Sequence, residues 1–371
     1  MAHGLARAGH QVIVVSRALS EAKHYTESDG VEVYRILPRL NLNSTPVLWR
    51  LNRWWEGYHL AVATQLRQIL RERQIDLIES PELHAEPLLH SLFHSKPPFV
   101  VRLHTGSGVV MNFEPNPSKP MKRDARFERW LIGNAAHVTS PSKALLTSTL
   151  NGRASERCTV IPNPVDTDHF RPHPPSSDSN SIPNVICVGR PRYLKGFHVV
   201  ARAIPIVWEA IPEARFTFIP APMGKTGGSL RDAYAGILGN LIDDPRVQLI
   251  DPVGRERMPA FYRDATVCVV PSLWEGFGYV CAEAMACGIP VVAGCVGGMA
   301  EIVEDGKSGV LVEPGNAPAL AQTIISLLRD ADRRGRLGAA ARVRIVENFS
   351  SPVITGQMAN LYREVVQGAV G

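Results

Sequence analysis

The sequence predicts an α/β protein made of two doubly wound domains that face each other across a cleft. Its 371 residues suit two domains, because one domain commonly has about 150 residues. Short apolar runs alternate with longer stretches of helical periodicity, a pattern typical of parallel sheets that are covered by helices on both faces. The alternation stops once, at residues 172–183, and then restarts.

The first half of the chain carries four short runs that are typical of buried strands. They are V-I-V-V at 12–15, I-D-L-I at 75–78, F-V-V-R-L at 99–103 and H-V-T-S at 137–140. Residues 54–73 and 121–134 place apolar side chains at helical spacing and so predict helices between the strands. We therefore expect a first domain over residues 1–171.

Residues 172–183, P-H-P-P-S-S-D-S-N-S-I-P, are rich in Pro and Ser and predict a linker. Six strand-like runs follow, at 184–189, 215–219, 247–250, 267–270, 289–293 and 309–312. They predict a second domain over 184–345. Apolar residues at helical spacing predict a last helix within 346–371, which either packs on the second domain or crosses back to the first.

Composition and charge argue against a small disulfide-rich protein, a membrane-spanning protein and a protein exported with a signal peptide. The 40 Lys and Arg residues exceed the 35 Asp and Glu residues by five, a mild excess that allows contact with anionic lipid or phosphorylated substrates without requiring it. No window holds the ~18 uninterrupted apolar residues of a membrane span, and no apolar leader opens the chain. We expect a cytoplasmic protein without a nucleic-acid partner, whose six cysteines, none in C-x-x-C spacing, are mostly buried apolar side chains.

The densest cluster of chemically informative residues is V-P-S-L-W-E-G-F-G-Y-V-C-A-E-A-M-A-C-G at 270–288. A strand that ends near Val270, followed by a helix, would place the amides of residues 276–278 at a helix N-terminus, which favours an anion. Glu275 and Glu283 could accept hydrogen bonds from sugar or ribose hydroxyls, as acidic residues do in dinucleotide-binding folds. The alternative is that Glu275 is solvated and Glu283 pairs with an arginine.

A second cluster, V-G-R-P-R-Y-L-K-G-F at 188–197, also leads from a strand into a helix. Arg190 and Lys195 flank a loop that has glycines at 189 and 196. Two cations beside a backbone that a ligand can approach closely suit a diphosphate. The alternative is an ordinary basic loop.

The order and spacing of these motifs resemble the retaining GT-B glycosyltransferases, specifically family 4, the glycosyl transferases group 1. Three further stretches are similar to that family: A-R-A-G-H-Q-V-I-V-V, V-V-R-L-H-T and V-I-P-N-P-V-D-T-D-H-F. The resemblance implies two Rossmann-like domains and transfer of a hexose from a UDP- or GDP-linked sugar. The acceptor would be a glycan, a lipid-linked compound or a small molecule, and no metal or other cofactor is expected.

The resemblance also implies roles for single residues. Glu275 would contact hydroxyls of the donor sugar and Glu283 the ribose of the nucleotide. Arg190 and Lys195 would hold the diphosphate and stabilise it as the leaving group. His104 would face the reacting centre from the first domain, the alternative being a histidine in a turn at a strand end. The other donor-binding positions act through backbone: Gly276, Phe277, Gly278 and Tyr279 at the sugar, Gly189 in the basic loop, and Val253 and Gly254 at the base.

One departure from the family pattern concerns the start of the chain. Family members usually begin with a strand and a Gly-rich loop, whereas this sequence opens with M-A-H-G-L-A-R-A-G-H, which belongs to the helix that follows them. We expect a true start upstream; the alternative is a truncated form. Two other functions also stay open, a non-catalytic nucleotide-sugar-binding protein and a GT-B sugar-nucleotide epimerase.

Two segments bear on the acceptor. Residues 41–58 combine three Trp with Arg, which suits either a sugar-stacking or interfacial surface or an amphipathic packing helix. The basic run at 119–129 could meet a lipid-linked or phosphorylated acceptor and an anionic membrane, or form a solvated helix face.

Overall fold

The computed structural model divides the chain into two units, each built around parallel strands. One unit comprises Met1–Pro162 and Ile354–Gly371, and the other comprises Asn163–Val353. The structure describes residues 1–18, 21–37, 53–92, 96–114, 116–153, 155–172, 182–220 and 229–368. Most of the tryptophan-containing segment 41–58 and of the predicted linker 172–183 therefore lies outside the described residues.

The described strands of the first unit form two sheets. Four parallel strands lie in chain order: β4 (Ile78–Pro81), β5 (Phe99–Arg102), β6 (His137–Ser140) and β7 (Cys158–Val160). A three-stranded sheet has the order β1 (Ile13–Arg17), β3 (Glu32–Ile36) and β2 (Lys23–Thr26). Strands β1 and β3 are parallel, whereas β2 runs antiparallel to β3.

The helices of the first unit come from both ends of the chain. They are α1 (Ala2–Arg7), α2 (Arg53–Glu72), α3 (Leu88–Ser91), α4 (Ser107–Val110), α5 (Lys119–Asn134), α6 (Lys143–Leu150) and α14 (Ser351–Gly368). Helix α14 packs Ile354 and Met358 against Ile161, and all three are buried. The guanidinium of Arg102 donates to the carbonyl of Pro162 (2.9 Å) and contacts the sulfur of Met358. The last helix thus completes the core of the first unit.

The second unit has six parallel strands in the order β10-β9-β8-β11-β12-β13. Their bounds are β8 (Asn184–Gly189), β9 (Arg215–Pro220), β10 (Val247–Leu249), β11 (Val267–Val270), β12 (Val291–Gly294) and β13 (Val310–Val312). Every residue of β11 and β12 is buried, as expected for strands whose two faces are both covered. The helices are α7 (Phe197–Ala210), α8 (Leu230–Leu238), α9 (Met258–Arg263), α10 (Tyr279–Ala286), α11 (Met299–Ile302), α12 (Ala317–Arg329) and α13 (Ala331–Phe349).

The division into units differs from the sequence boundaries at 171/172 and 345/346. Residues 163–171 belong to the second unit, because the amide of Val165 donates to Phe349 (2.8 Å) and Phe170 packs in the core with Tyr262. Residues 346–353 also belong to the second unit, and the rest of the chain returns to the first. The chain therefore passes between the units twice, after Pro162 and after Val353.

Strands β2 and β3 were not predicted from the sequence. All four residues of β2 are exposed, so the strand has no apolar run by which to recognise it. Strand β4 begins at Ile78 rather than at residue 75. Among the described helices, none combines the length and the apolar character that a membrane crossing requires.

Candidate active site

The sheet of the second unit has one topological switch point, between β8 and β11. From β8 the chain proceeds to β9 and β10 on one side, and from β11 to β12 and β13 on the other. In open α/β sheets such a point leaves a crevice at the carboxyl ends of the strands, where ligands bind. Both clusters singled out in the sequence follow these two strands directly: residues 190–196 follow β8 and residues 271–278 follow β11.

The two loops touch each other through glycine and backbone hydrogen bonds. The amide of Leu273 donates to the carbonyl of Leu194 over 2.8 Å. Gly196 has a φ of +69°, and a Cβ atom there would lie 1.9 Å from the carbonyl oxygen of Pro271. A side chain at this position would force the loops apart, so glycine allows their close approach.

A third loop, residues 295–298 after β12, supports the second. The amide of Gly298 donates to the carbonyl oxygen of Glu275 over 2.9 Å. Gly297 has a φ of +52°, and a Cβ atom there would lie 2.0 Å from the same oxygen. These glycines were not among the predicted site residues, although a pair of glycines shortly after a strand was the available signal.

Lys195 and Glu275, predicted separately, form an ion pair. The Lys195 Nζ atom lies 2.5 Å from Oε2 of Glu275, and both side chains are partly buried. The cation proposed for the diphosphate and the carboxylate proposed for the sugar are therefore neighbours at the switch point. A ligand with a phosphate next to a hydroxylated ring would meet complementary groups here.

Arg190 and Gly189 occupy the end of β8. The hydroxyl of Tyr234 donates to the carbonyl of Gly189 over 2.7 Å, which holds the strand end in place. The side chain of Arg190 is exposed, and within the described ranges its guanidinium has no hydrogen-bond or ion-pair partner. It is available to a ligand that approaches the loop.

Helix α10 begins at Tyr279 and is preceded by Gly278, whose φ is +107°. Phe277 is buried and contacts the exposed Tyr279 ring edge-to-face at 5.2 Å between centroids. Residues 276–279 thus bring the chain from Glu275 into the N-terminus of α10, as the sequence predicts. The helix dipole favours negative charge at this end.

Glu283 lies on α10 with its side chain 12% exposed. Oε1 lies 3.2 Å from the guanidinium of Arg255, and Oε2 accepts a hydrogen bond from the Tyr262 hydroxyl at 3.3 Å. Burial raises the pKa of Glu283, while Arg255 and Tyr262 act in the opposite direction. The pairing with an arginine that sequence analysis left open is therefore present, and the partner is Arg255, which the sequence did not single out.

Val253 and Gly254 lie between β10 and Arg255. The Arg255–Glu283 pair ties this loop to α10. A surface depression lies immediately ahead of Val253, at the carboxyl ends of β9 and β10. It is lined by Pro220, Ser229, Leu230, Arg231, Leu249, Ile250, Asp251 and Pro252.

His104 belongs to the first unit, at the carboxyl end of β5. Its amide donates to both carboxylate oxygens of the buried Glu82, each at 2.8 Å. The ring is reached by solvent, yet the protein around it and the cation of Arg102 lower its pKa well below the ordinary value. The imidazole is therefore neutral at pH 7.

Within the described ranges, one group of side chains lies close enough together to hold a metal ion: His3, Glu27 and Asp29, in the first unit. It contains none of the predicted site residues. Within the second unit the structure brings together Lys195, Glu275, the loops that carry Arg190 and Gly298, and helix α10 with Glu283.

Two family models together match most of the chain. Residues 1–169 match the model described as Glycosyltransferase Family 4. Residues 182–330 match the model described as Glycosyl transferases group 1.

The curated relatives include enzymes named D-inositol 3-phosphate glycosyltransferase. That of Xylanimonas cellulosilytica is 37% identical over 228 residues, which cover 55% of this chain and 53% of the relative. That of Corynebacterium glutamicum is 26% identical over 281 residues, covering 72% of this chain and 67% of the relative. The chain spans about half the length of the first of these relatives.

Solved structures show the same fold over nearly the whole chain. Sucrose-phosphate synthase from Thermosynechococcus elongatus superimposes with a TM-score of 0.82 at 24% identity, covering 99% of this chain and 92% of that chain. Anabaena Alr3699/HepE in complex with UDP-glucose gives a TM-score of 0.70 at 21% identity, covering 91% and 87%. The fold is GT-B, and the chain belongs to glycosyltransferase family 4, the glycosyl transferases group 1.

Proposed function

We propose that this protein transfers a hexose from a nucleotide-diphosphate sugar to an acceptor, with retention of anomeric configuration and without a metal ion. The observation that carries the proposal is the Lys195–Glu275 pair at the switch point of the second unit. It places a cation for phosphate and a carboxylate for hydroxyls within one hydrogen bond of each other, beside the N-terminus of α10.

Sugar transfer requires stabilisation of the charge that develops on the departing diphosphate. Three groups of this chain can supply it: the ammonium of Lys195, the exposed guanidinium of Arg190 and the N-terminal end of α10. Each follows a strand of the sheet within a short loop, so the three groups lie at the same edge of the sheet. These groups take the place of the divalent cation that other enzymes use for such a leaving group.

The nucleotide is expected to extend from the diphosphate toward Glu283 and the loop of Val253. The carboxylate of Glu283 would accept hydrogen bonds from ribose hydroxyls in exchange for part of its contact with Arg255. The depression before Val253 would take the base. A solved neighbour in complex with UDP-glucose supports a UDP-linked donor, and a GDP-linked donor is the alternative.

We propose an acceptor that carries a phosphate group, free or lipid-linked. The names of the curated relatives support this. Helix α5 presents an exposed basic face, formed by Lys119, Lys122, Arg126 and Arg129. The same face suits peripheral contact with an anionic membrane from the cytoplasmic side.

The test of activity uses the full chain with UDP-glucose, UDP-N-acetylglucosamine or GDP-mannose as the donor and inositol 3-phosphate as the acceptor. Each assay is run with and without EDTA. We expect one donor to give a glycosylated product whose anomeric configuration, read by NMR, matches the donor. Nucleotide binding without turnover would instead indicate a non-catalytic binding protein. An isomerised donor with no acceptor consumed would indicate an epimerase, and loss of activity in EDTA would contradict metal independence.

The test of the site compares the wild type with a variant that combines Arg190→Ala, Lys195→Ala and Glu283→Ala. We expect the triple variant to retain its fold, by circular dichroism, and to lose both nucleotide affinity and turnover. Full turnover by this variant would refute the assignment of the site.

The test of membrane contact measures cosedimentation with vesicles of phosphatidylcholine that do or do not contain phosphatidylglycerol. We expect binding to the anionic vesicles only, and weaker binding by Lys122→Glu. The matched control is Arg336→Glu, which makes the same change of charge at an exposed position on α13. Equal loss in both variants would refute a specific role for α5.

A further inference from the structure

Two buried carboxylates enclose the loop that carries His104. Glu82 follows β4 and is 1% exposed, and Glu128 lies on α5 and is 3% exposed. Neither is paired with Lys or Arg in a salt bridge among the described residues. Burying two carboxylic acids without such a partner costs free energy. The hydrogen bonds that they accept offset part of this cost and therefore show which segment they hold.

Both carboxylates bind the loop that follows β5. Glu82 accepts the amide of His104 with both oxygens, each at 2.8 Å, and the backbone of Gly106 also hydrogen-bonds to it. Glu128 accepts the hydroxyl of Ser107 at 2.9 Å. Glu82 thus binds the start of the segment 104–107, and Glu128 binds its end.

The loop between these contacts is strained and tightly enclosed. Thr105 has a φ of +80°, which is unusual for a residue with a branched side chain. A Cβ atom on Gly106 would lie 2.7 Å from Oε2 of Glu128 and 3.1 Å from Cγ of Glu82. Strain of this kind persists only where the surroundings over-determine the backbone, and it is concentrated at functional sites.

We propose that Glu82 is a positioning residue for His104: its carboxylate fixes the backbone of residues 104–106 and thereby the direction in which the His104 ring points. This inference rests on the proposed function and on the role in sugar transfer that the family resemblance implies for His104. Glu82 does not touch the substrate. It acts through the His104 amide, and Glu128 supports the same loop from α5.

The isosteric variant Glu82→Gln tests the inference, because an amide group offers one acceptor where the carboxylate offers two. We expect kcat for sugar transfer to fall by on the order of 10-fold to 100-fold, as for other small displacements of reacting groups. The KM for the donor and the affinity for UDP should change less than about twofold, since the residues proposed to bind the nucleotide lie in the other unit. Glu82→Asp, which keeps both acceptors, should restore part of kcat.

A control for general damage is Glu79→Gln. Glu79 lies on β4, the strand that Glu82 follows, but it accepts a hydrogen bond from the Tyr362 hydroxyl at 2.5 Å instead of binding the loop. This variant is expected to lose stability and to keep the kcat of the folded enzyme. Equal losses of kcat in Glu79→Gln and Glu82→Gln would overturn the inference.

A double-mutant cycle isolates the route through His104. In the His104→Ala background, Glu82→Gln should change the residual kcat by less than about twofold, because the group that it positions is absent. An undiminished effect of Glu82→Gln in that background would overturn the inference. If Glu82→Gln does not fold, the same cycle is made with Glu82→Asp, whose shorter side chain displaces the loop.

Histidine-ring NMR separates this inference from the proposed function. The His104 resonance is assigned by its loss in His104→Ala. We expect Glu82→Gln to shift it and Glu79→Gln to leave it in place. A wild type that turns over no nucleotide sugar would refute the proposed function, and an unshifted His104 resonance in Glu82→Gln would refute the positioning.

Discussion

The Nζ atom of Lys195 lies 2.5 Å from Oε2 of Glu275, so the two residues neutralise each other before a donor binds. A diphosphate that approaches Lys195 must therefore compete with a carboxylate already in place. The same carboxylate is the group proposed to hold the sugar. In the proposed function, Glu275 would thus oppose nucleotide binding and assist sugar binding.

Removing the charge of Glu275 is expected to separate these effects. In Glu275→Gln, Lys195 is released to the phosphates, so UDP should bind several-fold more tightly at low ionic strength. Turnover of the nucleotide sugar should fall by on the order of 100-fold, as when one stabilising polar group is lost from an active site. Calorimetry with UDP and a steady-state assay measure the two quantities. Glu347→Gln, at an exposed position on α13, is the control, and weaker UDP binding by Glu275→Gln would contradict this account.

Arg255 is expected to make folding less dependent on pH. Burial raises the pKa of Glu283, and Arg255 limits that rise. A carboxyl group whose pKa is raised on folding stabilises the folded state most at pH values below its pKa in the unfolded chain. This contribution is lost as the pH rises through its pKa in the folded state. In Arg255→Met the folded pKa rises further, so the melting temperature should fall more steeply than in the wild type between pH 5 and pH 8. Arg257→Met, which alters another exposed arginine two residues away, should follow the wild type.

Glu82 gives a second pH dependence, in the first unit. Burial, and to a lesser extent the charge of Glu128, raises its pKa from 4.5 to about 7 against the backbone hydrogen bonds that lower it. The wild type should therefore lose on the order of 3 kcal/mol at most from this group between pH 4.5 and pH 7. Glu82→Gln lacks the titration. Its melting temperature relative to the wild type should rise between pH 5 and pH 8, and a constant difference would contradict the shift.

Gly196→Ala is expected to open the contact between the loops after β8 and β11. The new Cβ atom would lie 1.9 Å from the carbonyl oxygen of Pro271, at a φ of +69°. We expect a loss of about 2–4 kcal/mol in the free energy of unfolding, and weaker UDP binding. Gly335→Ala is the control, because it lies inside α13 with nothing within 4 Å of the new atom. It should gain about 0.5–1 kcal/mol, as measured by urea denaturation.

The second unit was the more predictable from sequence. Its central strands β8 and β11 are mostly buried, so the apolar runs at 184–189 and 267–270 mark these two strands to the residue. The loops that follow carry Arg190, Lys195 and Glu275, and parallel topology brings the ends of adjacent strands together. Arg255 and Gly298 were not assigned, because their roles depend on contacts with residues distant in sequence.

The first unit was less predictable, because its features depend on contacts between residues that are distant in sequence or lie on a strand without an apolar pattern. Strand β2 is exposed at every position and shows no apolar pattern. The boundary at Pro162 follows from the pairing of Val165 with Phe349, which no local composition reveals. Glu82 is one acid among many in the sequence. Only its burial and its two bonds to the His104 amide distinguish it.

The return of α14 to the first unit constrains how the protein is made. Ile354 and Met358 complete a core that begins with Ile161 and that Arg102 joins from β5. A ribosome must therefore release α14 before the first unit can close this core, while the second unit, Asn163–Val353, has all its residues earlier in the chain. The first unit is therefore expected to finish folding only after the second unit has been synthesised, so a nonsense mutation within the codons of α14 would damage the first unit.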